Sequence, residues 1–192
     1  MKYDWAALYG EIRGCRKCGL CEMRTNVVIG DGDPHARLMI VGEGPGRDED
    51  LRGVPFVGAA GQLLDKMLAA VSLTRKDVYI ANVVKCRPPQ NRVPTEEEAT
   101  ACLPYLRAQY ALVRPAIIVC MGATAARHLI DPQLRITRDR GVWHERQRVH
   151  LIATYHPAAL LRDASKKPQA WSDLQSIRRK YDELCESEKH LN

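Results

Sequence analysis

The chain has 192 residues, enough for one sizeable core, and its 45% apolar and 27% charged residues fit a folded globular protein. A formal charge of +6 and a pI near 9.0 favour a polyanionic partner, although so modest an excess does not single one out. No apolar run reaches membrane-spanning length and Met1-Lys2-Tyr3-Asp4-Trp5 lacks the apolar core of a signal peptide, so the expectation is a cytoplasmic protein whose seven cysteines serve metal ligation or burial rather than disulfides.

Residues 3–13 carry Trp5, Leu8 and Ile12 at helical spacing and read as a short amphipathic helix ending at Gly14. Cys15-Arg16-Lys17-Cys18 follows as a C-x2-C knuckle; Cys21 repeats the interval, but no Cys-Pro follows at the distance a ferredoxin run requires. The first strand, 38–42, runs into Gly42-Glu43-Gly44-Pro45-Gly46-Arg47-Asp48-Glu49-Asp50, an acidic loop without regular structure. Its glycines permit close approach of the main chain to a ligand, and in open α/β sheets ligands bind just beyond such strand ends. It is not the dinucleotide fingerprint, which requires a helix to begin at the third glycine. Pro55-Phe56-Val57-Gly58 then presents the chain's single phenylalanine on a turn before a helix over 60–72, poised either to stack on a ligand or to pack inside.

A second strand, 78–84, carries Asn82 and leads into Lys85-Cys86-Arg87-Pro88-Pro89-Gln90-Asn91-Arg92. Cys102 follows Cys86 after fifteen intervening residues, on a helix over 95–112 opened by the capping box Thr95-Glu96-Glu97-Glu98. Two separated cysteine pairs can enclose either zinc or a [4Fe–4S] cluster, and the knuckle alone favours zinc. Cys120, in the apolar strand 116–121, reads as a small buried hydrophobe, and Cys185 as incidental. A helix over 122–130 precedes a basic stretch, Arg135 to Arg148, read as a solvated β-hairpin. The fourth strand, 149–154, ends in Tyr155-His156-Pro157-Ala158-Ala159-Leu160-Leu161-Arg162, and a last helix covers roughly 167–186. His35, His128, His144, His150 and His190 read as solvated or structural; His156 stands at a strand's carboxyl end. Four strands separated by helices imply a single-domain α/β/α sandwich around a mostly parallel four-stranded sheet.

Taken together, the Cys15/Cys18 knuckle, Gly-Glu-Gly-Pro-Gly, Pro-Phe-Val-Gly, Asn82 to Cys86, Cys102 and His156-Pro157 resemble the iron–sulfur uracil-DNA glycosylases, usually called family 4. Leu20, Arg24 and Thr25 also fall where that family's N-terminal pattern expects them. The resemblance implies a monomeric enzyme that flips uracil out of DNA and hydrolyses its glycosidic bond. It implies a [4Fe–4S] cluster on Cys15, Cys18, Cys86 and Cys102, with no role for Cys21. Phe56 would stack on the base and Asn82 would read its O4 and N3–H, with Gly44 beside the base and Asn91 at the rim. His156 would donate to O2, while Glu43 and Glu49 jointly face the sugar and orient water. Leu160 and Leu161, exposed on a loop, would wedge into the vacated stack and Arg162 would contact phosphate. Two departures stand out. Ala158 replaces the family's serine after His-Pro, and Gly44 stands where better-known members of the superfamily hold an aspartate. A related branch traps its product on a histidine in the loop after the second strand; here Pro88 to Pro94 contains none.

Overall fold

All four apolar runs form strands in the computed structural model, which describes residues 4–189; Tyr3, at the start of the expected first helix, and His190 lie outside the described residues. The sheet, however, has six strands rather than four: β1 (Asp31–Gly32), β2 (Leu38–Gly42), β3 (Val78–Asn82), β4 (Ile117–Met121), β5 (Trp143–Arg146) and β6 (Val149–Thr154), in the order β1-β3-β2-β4-β6-β5. The four expected strands are the parallel centre, and the two extra ones are antiparallel edges. Neither edge has an apolar pattern to betray it. β1 is two residues long, and β5 reads Trp-His-Glu-Arg, whose charges guard an open edge against further pairing.

Among the described residues eight helices cover the sheet: α1 (Trp5–Arg13), α2 (Arg47–Arg52), α3 (Ala59–Ala70), α4 (Glu96–Val113), α5 (Ala123–Leu129), α6 (Ile136–Asp139), α7 (Pro157–Arg162) and α8 (Lys167–Lys189). Successive strand residues point to opposite faces, so each central strand feeds two cores. Met39, Val41, Tyr79, Ala81, Ile118 and Cys120 pack with Leu8 and Ile12 of α1 and with Leu106 of α4. Leu38, Ile40, Val78, Ile80, Ile117 and Val119 pack with Leu64 and Leu68 of α3 and with Leu174 and Ile177 of α8. Cys120 is fully buried, and burial pushes its thiol up to about 12. Thr95 caps α4 as expected: its Oγ1 accepts from Glu98 N at 3.2 Å, and Glu98 Oε2 accepts from Thr95 N at 2.8 Å.

The basic stretch is only partly a hairpin. β5 turns into β6 through Gln147 and Arg148, both left-handed at φ 48° and 69°, while α6 occupies the first half. Three of its cations are engaged within the fold: Arg138 pairs with Asp139, Arg140 with the buried Asp173, and Arg146 donates to Ile130 O.

Because β2, β3, β4 and β6 are parallel, their carboxyl ends meet at one edge, with Gly42 opposite Asn82 and Met121 opposite Thr154. The chain leaves β2 in one direction for β3 and reaches β4 on the other side, so a crevice opens between β2 and β4.

Candidate active site at the carboxyl edge of the sheet

The segment after β2 is more ordered than its glycines suggest. Instead of an irregular acidic loop, Arg47–Arg52 is a helical turn capped at Gly46, and two of its acids are turned inward. Glu49 is buried; its Oε2 accepts from Gly46 N at 3.1 Å, and its Oε1 accepts from Val57 N and Gly58 N, each at 2.9 Å. Asp50 is also buried and accepts from Thr25 N at 2.9 Å and Asn26 N at 3.2 Å. Three backbone amides satisfied by one carboxylate fix the turn that carries Phe56.

Phe56 itself adopts φ 54°, a left-handed conformation uncommon for a non-glycine residue. Arg75 holds it there, donating to Pro55 O at 3.1 Å and to Phe56 O while its Nε pairs with Asp65 at 2.7 Å. The ring, 5% exposed, stacks on His156 with centroids 5.4 Å apart and planes 27° from parallel. Gly42 makes room for this group: a Cβ there would lie 2.4 Å from Asn82 Oδ1 and 2.6 Å from the Phe56 ring. Asn82 is buried, and among the described residues its Oδ1 has no hydrogen-bond partner. An unpaired buried acceptor is costly unless a ligand completes it.

His156 caps α7, its Nδ1 accepting from Ala158 N at 3.1 Å. That acceptor role places the proton of the neutral ring on Nε2. Burial, reinforced by the charge of Arg162, pushes the imidazole down to about 4, so it is neutral at physiological pH. Across the β2–β4 crevice, Glu43 accepts a hydrogen bond from Thr124 Oγ1 at the start of α5. Gly122, left-handed at φ 93°, lets this turn approach His156, whose Cβ would be 3.1 Å from a Cβ at that position. Gly44 packs close to Val84, 2.7 Å from where its own Cβ would stand.

The segment after His156 is helical, because Pro157 occupies the first position of α7, and this divides the two leucines. Leu160 is 2% exposed and belongs to the core beside α3 and α8, a correction to its expected exposure; Leu161 is 51% exposed. Arg162, in the last turn of α7, is exposed. Asn91 is exposed too, left-handed at φ 56°, its Oδ1 accepting from Arg87 Nε at 2.7 Å.

On the α1–α4 side, Cys15, Cys18, Cys86 and Cys102 line one cavity with Cys21, Leu20 and Tyr105. Among the described residues, no three His, Cys, Asp or Glu side chains are closed on a single ion-sized point. Sulfur acceptors are nevertheless served: Arg24 Nη1 donates to Cys86 Sγ at 3.2 Å and Lys85 N to Cys102 Sγ at 3.3 Å. Burial pushes the Cys86 thiol up to about 11, against the opposing influence of Arg24, and raises Cys18 and Cys102 as well.

The Uracil DNA glycosylase superfamily model matches residues 29–175. The chain belongs to the uracil-DNA glycosylase superfamily. A type-4 uracil-DNA glycosylase of Archaeoglobus fulgidus is 49% identical over 183 residues, covering 91% of this chain and 90% of that one. The type-4 glycosylase of Thermotoga maritima is 47% identical over 81% of this chain and 82% of its own, and that of Sulfurisphaera tokodaii 44% over 88% and 80%.

For a glycosylase of this superfamily the sheet edge gathers Gly42, Glu43, Phe56, Asn82 and His156; Glu43, Asn82 and His156 stand out in the sequence by their place at strand ends, and Phe56 as the single phenylalanine on a turn. Gly42, in the loop motif but without a role of its own there, proves to be the spacer. Thr124, Gly122, Arg75 and Lys85 escaped sequence reasoning. For Gly122 a signal existed, since Met121-Gly122-Ala123 is a second glycine at the end of an apolar strand. The others act through bonds to distant segments.

Proposed function

We propose that this chain excises uracil from DNA, hydrolysing the N-glycosidic bond to leave free uracil and an abasic site. The observation that carries this reading is the buried, unpartnered Oδ1 of Asn82, set beside the Phe56–His156 pair at the end of β3. A planar base carrying an N–H completes that acceptor. Extruding a base from duplex costs a few kcal/mol, and stacking on Phe56, worth about 1–3 kcal/mol, offsets part of that.

Asn82 takes N3–H on Oδ1 and offers its amide to O4. As the glycosidic bond breaks, negative charge grows on uracil O2 and positive charge on the sugar. The neutral His156 donates Nε2–H to O2, and its Nδ1, held by Ala158 N, keeps that tautomer in place. The backbone amide of residue 158 does this work, so alanine in place of serine leaves the histidine in position. Glu43 faces the sugar and orients the attacking water with Thr124. Glu49, whose oxygens are occupied by three amides, positions the Phe56 turn instead of acting on the substrate. Gly44 lets the main chain approach the base, Leu161 alone fills the vacated stack, and Arg162 meets phosphate. Asn91 belongs to the rim through its link to Arg87. The protein acts as a monomer on DNA; no described helix is long and apolar enough to cross a membrane.

The donor set of four thiols, with N–H groups aimed at two of the sulfurs and an apolar wall, fits a [4Fe–4S] cluster on Cys15, Cys18, Cys86 and Cys102. Such a cluster would tie the segment after α1 to the loop after β3 and to α4. Incubation with a uracil-containing oligonucleotide followed by alkali tests the whole proposal: strand breaks at the uracil are expected, and an intact strand overturns it.

A further inference from the structure

Lys85 is 1% exposed, and a buried ammonium requires partners for its donors. Its Nζ donates to Asn82 O at 2.7 Å and to Gln109 Oε1 at 2.6 Å. Gln109 is fully buried in its turn and donates to Ile29 O at 2.8 Å and Tyr79 Oη at 2.9 Å, which anchors the acceptor of the lysine to the far side of β3. At its other end Lys85 uses its backbone N–H on Cys102 Sγ, next in sequence to Cys86. One residue thus touches both the strand end that presents the Asn82 side-chain amide and the wall of the cysteine cavity. An aliphatic side chain would fill the same space without the several kcal/mol of desolvation that a buried ion carries. What the ammonium adds is two short, directional bonds, one of them to the backbone carbonyl of the very residue whose side-chain Oδ1 has no hydrogen-bond partner among the described residues.

We propose that Lys85 is a positioning residue for base recognition, a strut between the cysteine-lined cavity and Asn82 that holds the Asn82 amide at the angle the base requires. The proposal rests on the function argued above, since it concerns how Asn82 meets a base. Asn82 does not depend on its own rotamer alone; its carbonyl is clamped, and the clamp is fastened to the sulfur cavity. Removing the ammonium frees the strand end to turn, without altering any group that touches the substrate.

The test is Lys85→Met, purified with the same iron content as the parent and assayed by single-turnover excision on a uracil oligonucleotide. Loss of an outer positioning contact is expected to slow excision about 10- to 100-fold with the DNA-binding midpoint unmoved. The double variant Lys85→Met/Asn82→Ala should be no slower than Asn82→Ala alone, while Lys85→Met combined with Glu43→Gln should multiply the two losses. A Lys85→Met rate equal to the parent, or losses that multiply with Asn82→Ala, overturns the proposal. A second readout does not need activity: the Asn82 side-chain amide pair in a 1H–15N spectrum, assigned by its disappearance in Asn82→Ala. It should shift and broaden in Lys85→Met, and an unmoved pair overturns the strut. Should Asn82→Ala leave excision intact, the reading of Asn82 as the base reader fails while this spectrum still decides whether Lys85 orients it. Where Lys85→Met does not fold, Gln109→Leu releases the ammonium from one of its two acceptors and is judged by the same cycle and the same resonance.

Discussion

His156 shows how a single backbone contact sets chemistry. With Nδ1 accepting from Ala158 N and burial holding its ionisation near 4, the ring is a neutral donor through Nε2. The excision rate should therefore stay level as pH falls through 6.5, the ordinary histidine value, and decline only as it nears about 4. His156→Ala should lower the rate about 10²- to 10³-fold, as loss of one preorganised donor does. An inflection near 6.5 in the parent that vanishes in His156→Ala would contradict the neutral ring. Stability follows the same sign. The unfolded chain takes up this proton near 6.5 and the folded chain only near 4, so stability present above 6.5 is lost as pH falls between those values. The two glutamates separate by their partners. Glu49→Ala strands three amides, each worth about 1–3 kcal/mol when left unsatisfied, and should lower the thermal midpoint and the rate together. Glu43→Gln should leave the midpoint in place and lower the rate alone; melting and single-turnover kinetics on both variants decide. Asn82 and His156 were legible in the sequence because each follows an apolar run where a parallel sheet presents ligand groups, and Phe56 because it is the chain's single phenylalanine, set on a proline–glycine turn. Thr124 was not, since its bond to Glu43 spans 81 residues of chain. Leu160 misled because Leu-Leu after His-Pro reads as one exposed pair, whereas Pro157 starts a helix that turns one leucine into the core and leaves the other exposed.

At the scale of elements, apolar runs of five or six residues revealed the central strands, while edges built of two residues or of alternating charge carried no such mark. The acidic run hid α2 for a related reason. Asp and Glu suggest a solvated loop, but in the first turn of a helix they complement the dipole and can accept backbone N–H groups, as Glu49 does from Gly46. The cysteines were legible as two pairs, and the reason they converge lies in packing: α1 and α4 cover the same face of the sheet, bringing the knuckle after α1 beside Cys86 and Cys102. If a cluster sits there, replacing Cys15, Cys18, Cys86 or Cys102 by serine should remove iron and visible absorbance and lower the thermal midpoint, because the cluster closes the N-terminal segment onto the sheet. Cys21→Ser should keep all three. Zinc without iron in protein purified anaerobically would overturn the assignment.

For the molecule as a whole, the parallel sheet puts the groups proposed to react at one edge, and what is missing from that edge decides the outcome of the reaction. Once uracil departs, the sugar cation is captured either by water or by a protein nucleophile. The loop after β3 could supply a nucleophile, and in a related branch of the superfamily it does so with histidine. Here Pro89–Asn91 is a single tight turn, Gln90 and Asn91 are both left-handed, and the segment holds no histidine. Its one polar side chain with a fixed partner, Asn91, is bonded to Arg87. Cys86 is no substitute, because it faces the sulfur cavity, where Arg24 donates to it. In the mechanism we propose, water oriented by Glu43 is then the acceptor, which yields free uracil, an abasic site and repeated turnover. Denaturing gel electrophoresis after reaction with a uracil-containing oligonucleotide distinguishes the two fates. Hydrolysis leaves protein and DNA as separate bands with several uracils released per protein, whereas a heat-stable protein–DNA band at stoichiometric yield would mean that this edge captures the sugar itself.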